Sequence, residues 1–248
     1  MDVIQFRPSR EDEPARARTG TQSGWLLEHL RQALLDGKFQ VGSRLNEVRL
    51  SETLDVSRTP VRAALQTLAG EGLLRHTPNK GFTVRVFPLS EIIDAYEMRA
   101  LAEGLAARLA AERGVSESAR EAIEAALRRG DAALTSAGDI GFQRGVYAEI
   151  NEVFHSTILA AAGSDLMQQT VQLCQRIPQA AAHNVMAFEI EDVRNRHRGH
   201  HRIYELILAR EPQEAERLMQ RHVLDVKLSM VRALARREQP CVLREQPT

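Results

Sequence analysis

Three histidines and one amide stand out for the chemistry their spacing permits. Asn151 and His155 lie four residues apart in Asn151-Glu152-Val153-Phe154-His155, so on a helix they share a face. His200 precedes Glu211 by eleven residues, and His222 follows it by eleven. If Glu211-Pro212 breaks this segment into two helices that fold back as a hairpin, the two imidazoles come level. His200, Ile203 and Ile207 form one stripe and Leu218, His222 and Val226 another, which points both rings inward. Three imidazoles from three helices make a divalent-metal site with positions open to water or to an effector carboxylate. Zinc is the first expectation, with nickel, iron and manganese also allowed. His201 competes with His200, because it shares a face with Tyr204 and Leu208. The Arg- and His-rich stretch 194–202 reads as a solvated helix end. Arg99 has two readings, a bidentate partner for an effector carboxylate or an intrahelical pair with Glu103.

A second group of residues suits a different chemistry. Ser57-Arg58-Thr59 opens a helix that reaches Arg62, and such a first turn offers free N–H groups, hydroxyls and two cationic arms. These fit phosphates and guanine edges. Asn79-Lys80-Gly81 offers a donor, a charge and a residue able to approach a duplex closely. The chain has formal net charge +0, yet residues 21–86 carry nine Lys/Arg and six Asp/Glu, 9 − 6 = +3, leaving −3 elsewhere. A basic segment on an acidic body is the arrangement of a local phosphate-binding surface.

The elements that must position these residues follow from periodicity and punctuation. A helix capped by Ser23 runs to about Asp36, with Leu26, Leu27, Leu30, Ala33 and Leu34 on one face. A short helix over 47–54, a tight turn at Asp55-Val56-Ser57 and a third helix over 58–69 follow, Ser57 capping the last with Pro60 in its first turn. Leu73–His76 and Phe82–Val86 read as a strand hairpin. Two short helices joined by a tight turn, then a hairpin, is a winged helix-turn-helix pattern. After Phe87-Pro88-Leu89 no strand pattern appears, and helices are expected near 90–113, 117–136, 141–162, 165–186, 190–210 and 212–236. The fold class is therefore mainly α: an N-terminal winged helix-turn-helix over 21–86, a linker over 87–90, and an antiparallel helical bundle over 91–237. Residues 1–20 read as a disordered arm and 238–248 as a loose tail.

Composition narrows the class. At 43% hydrophobic and only 4% aromatic residues, the core must rest on Leu, Ala, Val and Ile. Two cysteines, Cys174 and Cys241, make no disulfide framework and fit a reducing cytoplasm. No apolar run reaches the ~18 residues of a membrane span, and the charged start lacks a signal peptide's apolar stretch.

Two stretches resemble a known family. Val41 to Glu47, Ser57-Arg58-Thr59-Pro60-Val61-Arg62-Ala63-Ala64-Leu65, Gly70-Glu71-Gly72-Leu73-Leu74 and Asn79 to Val84 closely resemble the DNA-binding domain of GntR regulators. The resemblance implies base or phosphate contacts by Arg58 and Arg62, a hydroxyl contact from Ser57 or Thr59, and wing insertion around Lys80-Gly81. Some relatives carry a DNA-touching Arg where this chain has Val48; Arg49 is the adjacent cation. Arg99 to Ala111, the Asn151–His155 motif, Gly163-Ser164-Asp165-Leu166 and the His200, Glu211-Pro212, His222 series resemble the all-helical FCD domain of the FadR subfamily. That family usually has Asp at the position of Asn151. An amide carbonyl is a weaker, neutral fourth ligand, and a metal held by neutral ligands keeps its full charge, which favours an anion. The resemblance implies a cytoplasmic homodimer on an inverted-repeat operator, with a metabolite, often an organic acid, relieving repression; activators exist in the family. A metal-dependent hydrolase is the rival reading, with Glu152 as the close carboxylate, and a purely structural metal is a third.

Overall fold

The computed structural model describes residues 22–135, 139–181 and 188–238. The arm expected over 1–20 lies outside these residues, and of the expected tail only Glu238 is described, as the last helical residue. The chain divides into two compact units, one running to Pro88 and including Arg176–Pro178, the other formed by Leu89–Gln175 and the chain from Gln179 onward.

In the first unit, α1 (Gln22–Leu35), α2 (Glu47–Leu54) and α3 (Arg58–Gly70) surround a core of Trp25, Leu26, Leu30, Leu50, Leu54, Leu65 and Leu68. Helix α1 begins before Ser23, so that serine is not its cap. Leu27 is only half-buried, because it sits at the edge of the apolar face. The cap of α2 is Asn46, whose side chain accepts from the backbone N–H groups of Val48 and Arg49. The turn into α3 places Asp55 in the left-handed region (φ 51°), a conformation that Asp tolerates. Ser57 is the N-cap of α3 by position, yet its side chain makes no capping hydrogen bond.

The wing holds a strand that alternation did not reveal. β1 (Arg44–Leu45), β2 (Leu74–Thr77) and β3 (Gly81–Val84) form an antiparallel sheet in the order β1-β3-β2, with Leu45 opposite Phe82 and Thr77 opposite Gly81. Two residues are too short for a periodic signal. At the tip Asn79 and Gly81 both take positive φ (62° and 78°), which glycine adopts without steric cost.

The second unit is an all-helical bundle of α4 (Leu89–Arg113), α5 (Glu117–Thr135), α6 (Ile140–Ala161), α7 (Asp165–Gln175), α8 (Ile190–Leu208) and α9 (Pro212–Glu238). The expected helix over 165–186 ends at Gln175; Pro178 cannot donate into a continuing helix and instead opens a 3-10 turn to Ala180. Residues 182–187 of that expectation lie outside the described residues. The α8–α9 hairpin turns through Arg210 in the left-handed region (φ 59°), and its guanidinium donates to the backbone oxygens of Ala111 and Glu112 at the end of α4. Among the described residues no helix is long and apolar enough to cross a membrane.

Candidate metal centre and nucleic-acid interface

The hairpin brings His200 and His222 together as their spacing requires: the two Nε2 atoms lie 3.1 Å apart. His155, from α6, completes the trio, and one ligand atom from each ring falls within 4.8 Å of the others. All three rings are buried. His200 is held by stacking on both Phe154 (centroids 4.2 Å, 23° between planes) and Tyr147 (5.8 Å, 6°). Burial pushes the His200 and His222 imidazoles well below their ordinary pKa, and neighbouring histidines push them further down. Both are therefore neutral near pH 7, the form that binds a metal.

Glu103, on α4, was missed as part of this site, although it figured as a possible partner of Arg99. Its Oε2 lies 2.6 Å from His155 Nδ1, and its Oε1 accepts from Arg99 Nε at 2.7 Å. Burial works against the charged form, but Arg99 and then His155 outweigh it and hold the carboxyl well below the usual range. A carboxylate behind an imidazole fixes the ring's orientation and tautomer, the arrangement that supports histidine ligands elsewhere. The donor set fits a divalent metal: three imidazoles from three helices, one of them oriented by a buried carboxylate.

A cavity of about 20 Å³ adjoins the trio, lined by Asn151, His155, His222, Arg99, Arg196 and Phe188 among others. That is room for a water molecule or an ion. Arg99 lines this cavity, and it forms the intrahelical pair with Glu103 and donates to the Ala180 carbonyl. Arg196 is different. It was expected in a solvated helix end, yet it is buried, as are His197 and His200 in the same stretch. Its guanidinium lies 3.9 Å over the Phe188 ring, and Asp192 Oδ2 is 4.0 Å from Nη2. Among the described residues no hydrogen-bond acceptor meets Nη1 or Nη2. The signal for Arg196 was available: it lies one turn before His200 on the same face.

His201 does not belong to the trio. Its Nε2 lies 2.9 Å from Asp131 Oδ1, as does that of His197. Burial lowers the His197 pKa despite the opposing Asp131 charge. Glu152 is exposed on the outer face of α6, away from the buried rings, so it is not placed as a base.

In the first unit Ser57, Arg58, Thr59, Arg62, Arg49 and Lys80 are all exposed, and Gly81 is half-buried. Arg58, Arg62 and Gly81 line one shallow groove together with Arg44, Asn46, Glu47 and Val48. Arg44 was not singled out by sequence; it enters through β1, the strand that periodicity missed. Arg62 is engaged by Glu47, with Nη2 at 2.8 Å and Nε at 2.9 Å from Oε2. The groove thus collects residues from the wing, from the N-terminus of α2 and from the first turns of α3.

Comparison with known proteins accords with both halves. Residues 25–84 match the bacterial regulatory proteins of the gntR family, and residues 94–225 match the FCD domain. The Nta operon transcriptional regulator of Aminobacter aminovorans is 35% identical over 134 residues, 54% of this chain and 60% of that protein. The probable D-xylose utilization operon transcriptional repressor of Paenarthrobacter nicotinovorans is 28% identical over 82% of this chain and 86% of its own length. The solved structure of E. coli McbR/YncC shares the fold, with a TM-score of 0.68 at 20% identity over 88% of this chain and 99% of that one.

Proposed function

The chain belongs to the GntR family of bacterial regulatory proteins and carries an FCD domain, and from that premise we infer that this transcriptional regulator is switched by a small carboxylate bound beside the histidine trio. Arg196 carries the reading: a buried guanidinium whose terminal nitrogens find no acceptor among the described residues, on a cavity that also holds His155, His222 and Asn151. Asp192 stands 4.0 Å from Nη2, beyond hydrogen-bond reach, so burying these N–H groups is costly, and a carboxylate offers the bidentate match that removes that cost. Arg99 adds positive potential from the other side, although Glu103 balances it.

His155, His200 and His222 would hold a divalent metal, zinc first, with the Asn151 carbonyl as a neutral fourth donor. When bound, the ion supplies Lewis acidity and a full positive charge to an anion. The protein's own groups do the rest. Glu103 fixes the His155 ring, Tyr147 and Phe154 clamp His200, and Arg196 orients the anion. Because the cavity has room only for a water or an ion, a larger carboxylate has to displace part of its wall, which α6, α8 and α9 help to form. Ligand binding is then coupled to helix position. In a homodimer on an inverted-repeat operator that movement would alter how two DNA-binding units present Arg58, Arg62, Ser57 or Thr59, Arg49 and the Lys80-Gly81 wing.

The test measures affinity for a duplex selected from a random pool, with and without a panel of small mono- and dicarboxylates. A coupling of about 1–3 kcal/mol, roughly a 5- to 150-fold change in affinity, is expected for one of them. Arg196→Ala should abolish the response while leaving the affinity of the unliganded protein intact. Affinity indifferent to every carboxylate, with zinc supplied, would overturn the reading.

A further inference from the structure

The bundle holds a second cluster of metal-ligating side chains, built differently from the first. His197 and His201 lie one turn apart on α8 and direct both Nε2 atoms at a single oxygen, Asp131 Oδ1 on α5, at 2.9 Å each. The two rings stand nearly perpendicular, 83° between planes with centroids 5.0 Å apart. One ligand atom from each residue falls within 4.8 Å of the others. A metal at about 2.0–2.2 Å from imidazole nitrogen and carboxylate oxygen has ligand atoms roughly 3 Å apart, so this spacing requires little rearrangement.

The cluster faces α5, whereas His200, one turn away on the same helix, faces α9. Its back is dry and its front is wet: His197 is 4% exposed, whereas Asp131 and His201 side chains are 51% and 37% exposed. Gly130 shapes the back. A Cβ at that position would fall 2.2 Å from His197 Cε1 and 2.5 Å from Ile150 Cδ1, so any other residue would push the His197 ring out of place. The absence of a side chain beside Asp131 is what lets a buried imidazole reach its carboxylate.

We propose that Asp131, His197 and His201 form a second, solvent-facing site for a borderline divalent transition metal, zinc or nickel, with water completing the coordination. Two imidazoles at i, i+4 and one carboxylate suit these ions better than the hard, oxygen-seeking calcium or magnesium. The open face gives ions direct access from solvent and marks this as the more rapidly exchanging site. The proposal does not depend on the buried trio holding a metal.

Titration of stripped full-length protein with Zn²⁺ against a chromophoric competitor tests it, using wild type, Asp131→Asn, His201→Ala and His200→Ala. His201 is part-exposed and Asp131→Asn is isosteric, so both variants should fold. Wild type should bind two equivalents per chain; Asp131→Asn and His201→Ala should each lose one event or weaken it at least tenfold, and His200→Ala should retain that event. If the buried trio binds nothing, wild type takes one equivalent, His201→Ala takes none and His200→Ala is unchanged; the second site then stands alone. Superimposable curves for wild type, Asp131→Asn and His201→Ala would overturn the proposal.

Discussion

The exposed cationic groove and the buried histidine centre are built in opposite ways. The groove presents exposed cations, open to screening by salt, drawn from short elements of the first unit, with Glu47 engaging Arg62. The centre presents buried rings drawn from α6, α8 and α9, His200 among them clamped by Phe154 and Tyr147, with one buried carboxylate and one guanidinium lacking hydrogen bonds on its terminal nitrogens beside them. On the proposed function, affinity in the groove would come from long-range charge shared among many residues. In the centre it would come from geometry, so one displaced ring would remove a metal ligand outright.

The sharpest way to break this contrast is to delete one member of each region. His200→Ala should remove about one equivalent of metal per chain, read by metal analysis of the purified protein, whereas DNA affinity without effector should change little. Arg58→Ala should leave metal content untouched and weaken binding to selected DNA by roughly 10- to 100-fold, about 1–3 kcal/mol, in anisotropy titrations. If His200→Ala abolished DNA binding, the two regions would not be separable.

Support behind the ligands should matter next. Glu103→Gln keeps the shape but removes the charge that orients His155, and should weaken metal binding by about 10- to 100-fold. An unchanged affinity would show that packing alone positions the ring.

Acid should separate the regions further. For His200 and His222 the folded pKa is depressed, so their contribution to stability is intact above the unfolded value near 6.5. It is lost as pH falls from there through the lowered folded values, because the unfolded chain takes up protons that the core refuses. The metal-free protein should therefore melt at lower temperature at pH 5.5 than at 7.5, and a His200→Gln variant should show a smaller fall. The smallest effect concerns Arg62, which Glu47 engages in an exposed pair worth about 0–1 kcal/mol. Glu47→Gln should free that guanidinium and raise DNA affinity no more than about fivefold.

Much of this was legible beforehand for a physical reason. Periodicity of 3.6 fixed the long helices, because each must bury an apolar stripe, and the Glu211-Pro212 break set the register that levels His200 with His222. The α3 signature, with its turn and glycines, is local, so Arg58 and Arg62 could be singled out without a fold, and both line the exposed groove. What escaped lay either in elements too short to show a period, as with Arg44 on β1, or in contacts between helices distant in sequence.

By itself, then, the sequence determined the run of long helices and the convergence of the histidine trio, and it singled out the cationic residues of α3 and the wing, since those depend on spacing along one chain or across one hairpin. Tertiary structure alone decided the partners. It placed Glu103 of α4 behind His155, buried Arg196 where a charged stretch suggested solvent, and turned His201 away from His200 toward Asp131. Each outcome depends on how helices pack around their axes, and a rotation of one position, about 100°, exchanges buried and exposed residues without changing the periodic pattern.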